Sequence, residues 1–448
     1  MHKYIVILGA GESGTGAALL AKSRGYDVFV SDSGVIADKY LKDIEKYHIR
    51  YEQEAHSYAE IHNADMIVKS PGIPENAGVV LEAKARLIPV ISEIEFACMH
   101  TQAKFIAITG TNGKTTTTRL TYHLLKIAGF NVGIAGNIGD SLARQVIVDN
   151  KEWYVVELSS FQLDGMHSFH PNVSILLNIT PDHLDRYDYD FDRYAASKFR
   201  IMQNLEPADY FIYLQDDKVI LSGLKKSETR FIKQGVSVKN PHAFATVHEL
   251  YLQIGELKVS ISDIPLKGKH NFINVMCSVA AALDLGADAG KVIEGLKSYQ
   301  SAPHRLELID TVNGVLFIND SKATNVASVY YALDTYDNPV TWIAGGVDKG
   351  NNYDRLRPLV EKKVQSLICL GVDNSKLREA FQDVIEKIFE TDNIKEAARK
   401  AYEYSQKNDV VLLSPACASF DLFKNYEDRG NQFREAVREL KNEVELIQ

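Results

Sequence analysis

Short apolar runs that end in Gly, Ser, Asp or Pro recur along the first part of the chain: "YIVILGAG", "YDVFVSDSG", "ADMIVKSPGIP", "FIAITGTNG", "NVGIAGNIG", "WYVVELSS" and "VSILLNITPDH". They alternate with helical stretches, the pattern of parallel strands covered on both faces by helices. Polar residues cluster just after each run. That places them at the carboxyl ends of strands, where open α/β sheets bind ligands.

The pattern changes at residues 229–265, where "TRFIKQGVSVKN" and "LYLQIGELKVSISDIPL" alternate with turn residues and predict short antiparallel strands on an α/β domain. A helical segment, "NFINVMCSVAAALDLG", comes next. After "SYQSAPHRLE" the strand pattern restarts with "GVLFIND", "VTWIAGG", "QSLICLG" and "DVVLLSPA". We therefore expect an α/β protein of three domains: a Rossmann-like N-terminal domain (1–94), a central P-loop ATPase-type domain with a small antiparallel sheet (95–300) and a Rossmann-like C-terminal domain (301–448). The length, 448 residues, agrees with about three cores.

Composition narrows the function classes. At 45% hydrophobic and 24% charged, the chain is globular in type. A net charge of −9 argues against a nucleic-acid surface and for small-molecule partners. No apolar run approaches the roughly 18 residues needed to cross a bilayer, and the start has no cleavage site, so a cytoplasmic protein without a membrane partner is expected. Cys98, Cys277, Cys369 and Cys417 are scattered, which suggests neither a disulfide framework nor a zinc site.

Two glycine loops carry the candidate chemistry. The first, "ILGAGESGTG", has Gly9, Gly11 and Gly14 in G-x-G-x-x-G spacing between a strand and a helix, with Asp32 ending the next strand. Such glycines allow a tight turn and close approach to a pyrophosphate at a helix N-terminus. NAD would need a second mononucleotide half in the same sheet, yet the next glycine loop along the chain is of a different kind. A nucleotide diphosphate linked to something else fits better, with Ser70, Pro71, Gly72 and Ile73 as a second rigid turn. The plainer reading of either stretch is a packing or Pro-Gly turn.

In the second loop, "GTNGKTT", Gly110 and Gly113 let backbone amides point inward around Thr111 and Asn112. Lys114 can reach outer phosphates, and Thr115 or Thr116 can hold Mg²⁺. Ile108 replaces the first glycine of a standard phosphate-loop motif, so the turn is shorter. Downstream stand Glu157 at a strand end, His183 and Lys198; Glu157 and His183 suit a divalent metal. Singly these residues read as a cap, a core histidine and a solvated lysine. Their combination after a phosphate loop points to phosphoryl transfer.

The motifs "GTNGKTTT", "GNIG", "ELSSFQL", "NITPDHLDRY", "HRLE", "NDSKATN" and "SPACASFD" occur in the order seen in the Mur ligase family, and the chain resembles its D-glutamate-adding branch over all three predicted domains. The resemblance implies ATP-dependent addition of D-glutamate to UDP-N-acetylmuramoyl-L-alanine by a monomer with two Mg²⁺ ions. Gly9 to Gly14, including Gly11 and Ser13, and Ser70 to Ile73 would cradle the UDP-sugar, with Asp32 near the uracil. Asn137, Ser159 and Gln162 match positions near the same substrate. Lys114 and Thr115 would hold phosphate, while Thr115, Glu157 and His183 serve the metal sites. Lys198 matches a lysine carbamylated by CO₂ into a metal ligand. Asn271 and Asn274 match positions near the adenine, and Arg305, Asp320 and Lys322 match residues reaching the ATP ribose and γ-phosphate. Thr324, Lys349, Ser419 and Phe420 match the D-glutamate positions, although the loop holding Lys349 aligns equally with a shift of one residue.

The implied chemistry is an acyl phosphate on the L-alanyl carboxylate, attacked by the D-glutamate amine after domain closure. Its general base stays unassigned. A lysine- or diaminopimelate-adding ligase would carry D-N-P-R downstream of its G-G-D loop, whereas "DNPV" (337–340) lies upstream and lacks the arginine. A folylpolyglutamate synthase would not explain the N-terminal glycine loop, and a nicotinamide-dependent dehydrogenase explains only the first forty residues.

Overall fold

Runs such as YIVIL, DVFVS and VTWIAG are buried along almost their whole length in the computed structural model, which describes residues 3–226, 230–266 and 268–446. Strands apolar on both faces need helices above and below them, and that requirement gives three α/β sheets among the described residues.

The first sheet is wholly parallel, in the spatial order Arg50–Glu52, Asp27–Ser31, Tyr4–Leu8, Met66–Lys69, Val90–Ser92. Its first and second glycine-bearing turns therefore leave adjacent strands on the same edge. In the second sheet Lys104–Thr109 lies between Trp153–Glu157 and Val173–Leu176, all parallel, so the second glycine loop, Glu157 and Asn178 leave neighbouring strand ends. In the third, Val315–Asn319, Val410–Ala416 and Val340–Gly345 are adjacent and parallel, with Glu307–Val312 antiparallel at one edge.

The antiparallel strands expected after residue 229 extend the second sheet and form no sheet of their own. Ile232–Ser237 pairs parallel with Tyr210–Leu214. Ala245–Val247 in turn pairs parallel with Ile232–Ser237, and antiparallel pairing begins only where Tyr251–Ile254 lies between Ala245–Val247 and Leu257–Ser260. The half-exposed alternation in that stretch reflects approach to a sheet edge, where one face meets water. Thr229, its first residue, lies outside the described residues.

By compactness the chain forms two units: Met1–Ile264 with Ile273–Tyr299, and Pro265–Phe272 with Gln300–Gln448. The first holds two sheets and the second holds one. In the first unit, Glu12 accepts from Ser141 N and Arg144 Nε, Arg144 pairs with Asp43, and buried Glu93 accepts from Ala143 N (2.6 Å). Among the described residues, no helix is long and apolar enough to cross a membrane.

Candidate active site

The helices Glu12–Ser23 and Lys114–Ile127 both begin after a glycine N-cap that offers no side-chain hydrogen bond. The helix Ser160–Asp164 instead begins with a side-chain cap. An uncapped first turn leaves backbone N–H groups and the positive helix end for an anion.

At the first loop, Gly9 has φ +86° and a side chain at Gly14 would lie 1.7 Å from the Gly9 carbonyl oxygen. Those two glycines close the turn. Gly11 and Gly72 differ, because a Cβ there would meet no protein atom within 4 Å. Asp32 accepts from Ala10 N (2.6 Å) and Gly34 N (2.8 Å), holding the turn from the adjacent strand end. Ser70 Oγ donates to the Gly9 carbonyl, and Arg186 donates to the carbonyls of Pro71 and Gly72. Ser13 is half-buried in the first helical turn. The sequence-derived residues of this loop thus lie together at adjacent strand ends of the first sheet.

At the second loop, Gly110 and Gly113 take φ +153° and +88°; a Cβ on Gly113 would meet Asn274 Oδ1 at 2.5 Å. Thr111 donates to the Thr180 carbonyl and bonds Tyr194 OH, while Asn112 N donates to Asn178 Oδ1. Lys114 Nζ donates to the carbonyls of Gly110 and Thr111, both at 2.8 Å. Thr115 and Thr116 are buried at the helix start. Buried Lys198 Nζ donates to the same Gly110 carbonyl at 2.9 Å. Burial, and then the charge of Lys114, hold the Lys198 pKa well below that of an ordinary lysine.

Glu157 ends the strand beside this loop. Its Oε1 accepts from Asn137 Nδ2 (3.0 Å), and its buried Oε2 has no hydrogen-bond partner. A buried, unpartnered carboxylate oxygen is costly unless a cation or donor joins it. It stands next to a loop with helix-start hydroxyls, which is the donor set expected for Mg²⁺ on phosphates. Among the described residues no three His, Cys, Asp or Glu side chains gather to hold a metal without such help. Glu157, Thr115 and Thr116 therefore fit a hard divalent cation such as Mg²⁺.

His183 is exposed, in left-handed backbone (φ 51°), with its ring against Phe161 at 5.3 Å. Ser159 and Gln162 bond one another in a capping box, so their side chains have a structural use as well.

In the second unit, Asp320, Lys322 and Thr324 come just after the strand Val315–Asn319. Asp320 is buried, accepts from Leu306 N and Ser414 Oγ, and burial raises its pKa to about 7. Arg305 has a buried Nε without a partner. Lys322 Nζ bonds Tyr426 OH (2.9 Å) and lies over its ring. Ser419 is buried, whereas Phe420 and Lys349 are exposed. Beside Lys349, Asp348 takes an ion pair from Lys376 (2.9 Å). In the first unit, Asn274 lies against the second glycine loop, accepting from Thr117 Oγ1. Asn271 belongs to the segment grouped with the second unit.

Sequence reasoning missed Tyr194, Asn178 and Tyr426. Tyr194 precedes Lys198 by four residues on one helix face, a spacing that could have flagged it. Asn178 stands at a strand end like the residues that were singled out. Tyr426 reaches Lys322 across a hundred residues, and no local pattern announces it.

Comparison with known proteins matches residues 3–92 to a Mur ligase MurD-like N-terminal domain, 108–282 to a Mur ligase middle domain and 304–417 to a Mur ligase glutamate ligase domain. The chain is 53% identical to a UDP-N-acetylmuramoylalanine–D-glutamate ligase of Cytophaga hutchinsonii, over 98% of this chain and all of that protein. It is 50% identical to one of Christiangramia forsetii, with 98% and 100% covered. Among solved structures, a pseudomurein peptide ligase from Methanothermus fervidus superposes with a TM-score of 0.62 at 22% identity, covering 98% of this chain and 100% of that one. A UDP-N-acetylmuramate-alanine ligase from Thermotoga maritima gives 0.62 at 17% identity, covering 98% and 100%. The structural likeness shows a shared fold.

Proposed function

The chain belongs to the Mur ligase family, and from that premise we propose that it adds D-glutamate to UDP-N-acetylmuramoyl-L-alanine in an ATP-dependent ligation of peptidoglycan precursor synthesis. The observation that carries this reading is the full-length likeness, at 53% identity, to a D-glutamate ligase. The geometry supplies the chemistry.

In this reading residues 1–94 bind the UDP-sugar, 95–300 the ATP and 301–448 the amino acid. A cytoplasmic monomer acts where ATP and UDP-linked precursors are made. The amides of the second glycine loop and Lys114 hold the phosphates of ATP. Glu157 and Thr115 would hold Mg²⁺, and His183 and a carbamylated Lys198 would join them. When bound, the metal neutralises charge on the phosphates. Lys198 suits carbamylation because its depressed pKa favours the neutral amine, which adds to CO₂ with loss of a proton.

A carboxylate cannot expel oxide, so the L-alanyl carboxylate oxygen first takes the γ-phosphoryl group and ADP leaves. The D-glutamate amine then attacks the carbonyl carbon. The C–N bond forms, the C–O bond to phosphate breaks, and the amine loses a proton. Lys114 and Lys322 stabilise the negative charge that builds up during attack. Arg305 and Asp320 position the ribose, and Thr324, Lys349, Ser419 and Phe420 position D-glutamate.

Omitting one substrate at a time tests the reading. Phosphate release should require ATP, UDP-N-acetylmuramoyl-L-alanine and D-glutamate together. Release that proceeds without the UDP-sugar would contradict it.

A further inference from the structure

Arg429 is 1% exposed, and among the described residues all its hydrogen bonds go to carbonyls and one hydroxyl. It sits near the start of the helix Tyr426–Leu446, outside every motif used above. Nε donates to Ser321 Oγ (3.0 Å), and Nη2 donates to the Ser321 carbonyl (2.9 Å) and the Cys417 carbonyl (3.3 Å). Nη1 donates to the carbonyls of Cys417 (3.3 Å) and Gly345 (3.4 Å). All five N–H donors of the guanidinium are thus used.

Those acceptors lie on three loops at adjacent strand ends of one sheet. Ser321 precedes Lys322 and Thr324, Gly345 opens the loop to Lys349, and Cys417 precedes Ser419 and Phe420. The same helix start reinforces the first loop: Ser321 Oγ donates to the Tyr426 carbonyl and Asn319 Nδ2 to the Gly430 carbonyl. The second and third loops also meet directly, through Val347 and Ala418. Gly346, at φ +121°, leaves no room for a Cβ, which would lie 2.2 Å from the Ala418 carbonyl oxygen. Burying a guanidinium with no carboxylate among its hydrogen-bond partners is expensive, and burial lowers its pKa to about 10, so it stays charged at neutral pH.

We propose that Arg429 is a positioning residue whose planar fork sets the relative geometry of the loop carrying Lys322 and the two loops expected to read D-glutamate. The inference rests on the function proposed above. A single rigid guanidinium shared by three loops makes the amino-acid site and the phosphate-directed lysine one frame, so a change in one loop is felt in the others. Lysine cannot replace it, because a point-charge ammonium with three donors cannot span the fork.

The test uses the full-length enzyme with Arg429→Lys and Arg429→Met, checked for folding by circular dichroism and thermal melting. KM for each substrate and kcat are read from phosphate release. The proposal predicts that folded Arg429→Lys raises KM for D-glutamate and lowers kcat, each about tenfold, the scale of one charge-assisted hydrogen bond. KM for UDP-N-acetylmuramoyl-L-alanine stays within about twofold, and Arg429→Met is more affected than Arg429→Lys. Folded Arg429→Lys with parental KM for D-glutamate and parental kcat overturns it. So does a uniform rise of every KM, equal in the two variants, which would mean general destabilisation. A parent enzyme with no D-glutamate-dependent release sinks the underlying reading and this proposal with it; normal parent behaviour with unaffected variants sinks the proposal alone.

Discussion

Two lysine nitrogens, of Lys114 and Lys198, share the Gly110 carbonyl, and one carboxylate oxygen, of Glu157, is buried without a partner. Both features are poor choices for stability and suit a site that receives phosphate and metal. Glu157→Gln should keep the fold and lower kcat by about 10²-fold or more, measured by phosphate release. Glu93 makes a separate prediction. Its burial raises the pKa from 4.5 to about 7. The folded state then binds more protons than the unfolded chain between those values, so stability is lost as pH rises from about 4.5 to 7 and stays low above. The full penalty is about 3 kcal/mol, from about 1.4 kcal/mol per pKa unit. Glu93→Gln cannot ionise, so its melting temperature should gain on the parent's across that window; a difference independent of pH contradicts the account. Glu157 was legible in the sequence because a strand-end acid after a phosphate loop is a local pattern. Glu93 was not, since its burial comes from tertiary packing, and the backbone donor it meets there, Ala143 N, stands fifty residues later.

Gly14 packs a helix on a strand, whereas the Gly11 site faces no protein atom. Gly14→Ala should therefore unfold or strongly destabilise the first unit. Gly11→Ala should melt like the parent yet raise KM for the UDP-sugar about tenfold if the open side receives that substrate. Gly113→Ala forces a side chain into left-handed backbone at a cost of about 1–2 kcal/mol and pushes on Asn274, so KM for ATP should rise. Differential melting and substrate titrations check all three. The strands were legible because doubly buried parallel strands read as unbroken apolar runs. Ile232–Ser237 was not, because a short run of mixed apolar and polar residues, IKQGVS, reads the same for parallel and antiparallel pairing. The capping box of Ser159 and Gln162 gives those residues a local role that the family resemblance alone did not reveal.

Over the whole molecule, three sheets present their loops at strand carboxyl ends, as the sequence pattern suggested. Strand order and the ties from the last helix to distant loops depend on tertiary packing and carry no local signal; Arg429 and Tyr426 are the clearest cases. The net charge of −9 is consistent with anionic substrates only because cations stand at strand ends, Lys114 in the first unit and Lys322 in the second. The central claim is the choice of amino acid. The direct measurement is a competition in which the enzyme receives ATP, Mg²⁺, UDP-N-acetylmuramoyl-L-alanine and equal amounts of D-glutamate, L-glutamate, L-alanine, L-lysine and meso-diaminopimelate, with the UDP-linked products resolved by chromatography and mass spectrometry. The account predicts a single product, the D-glutamate adduct. Formation of another adduct, or none with ATP intact, would contradict it.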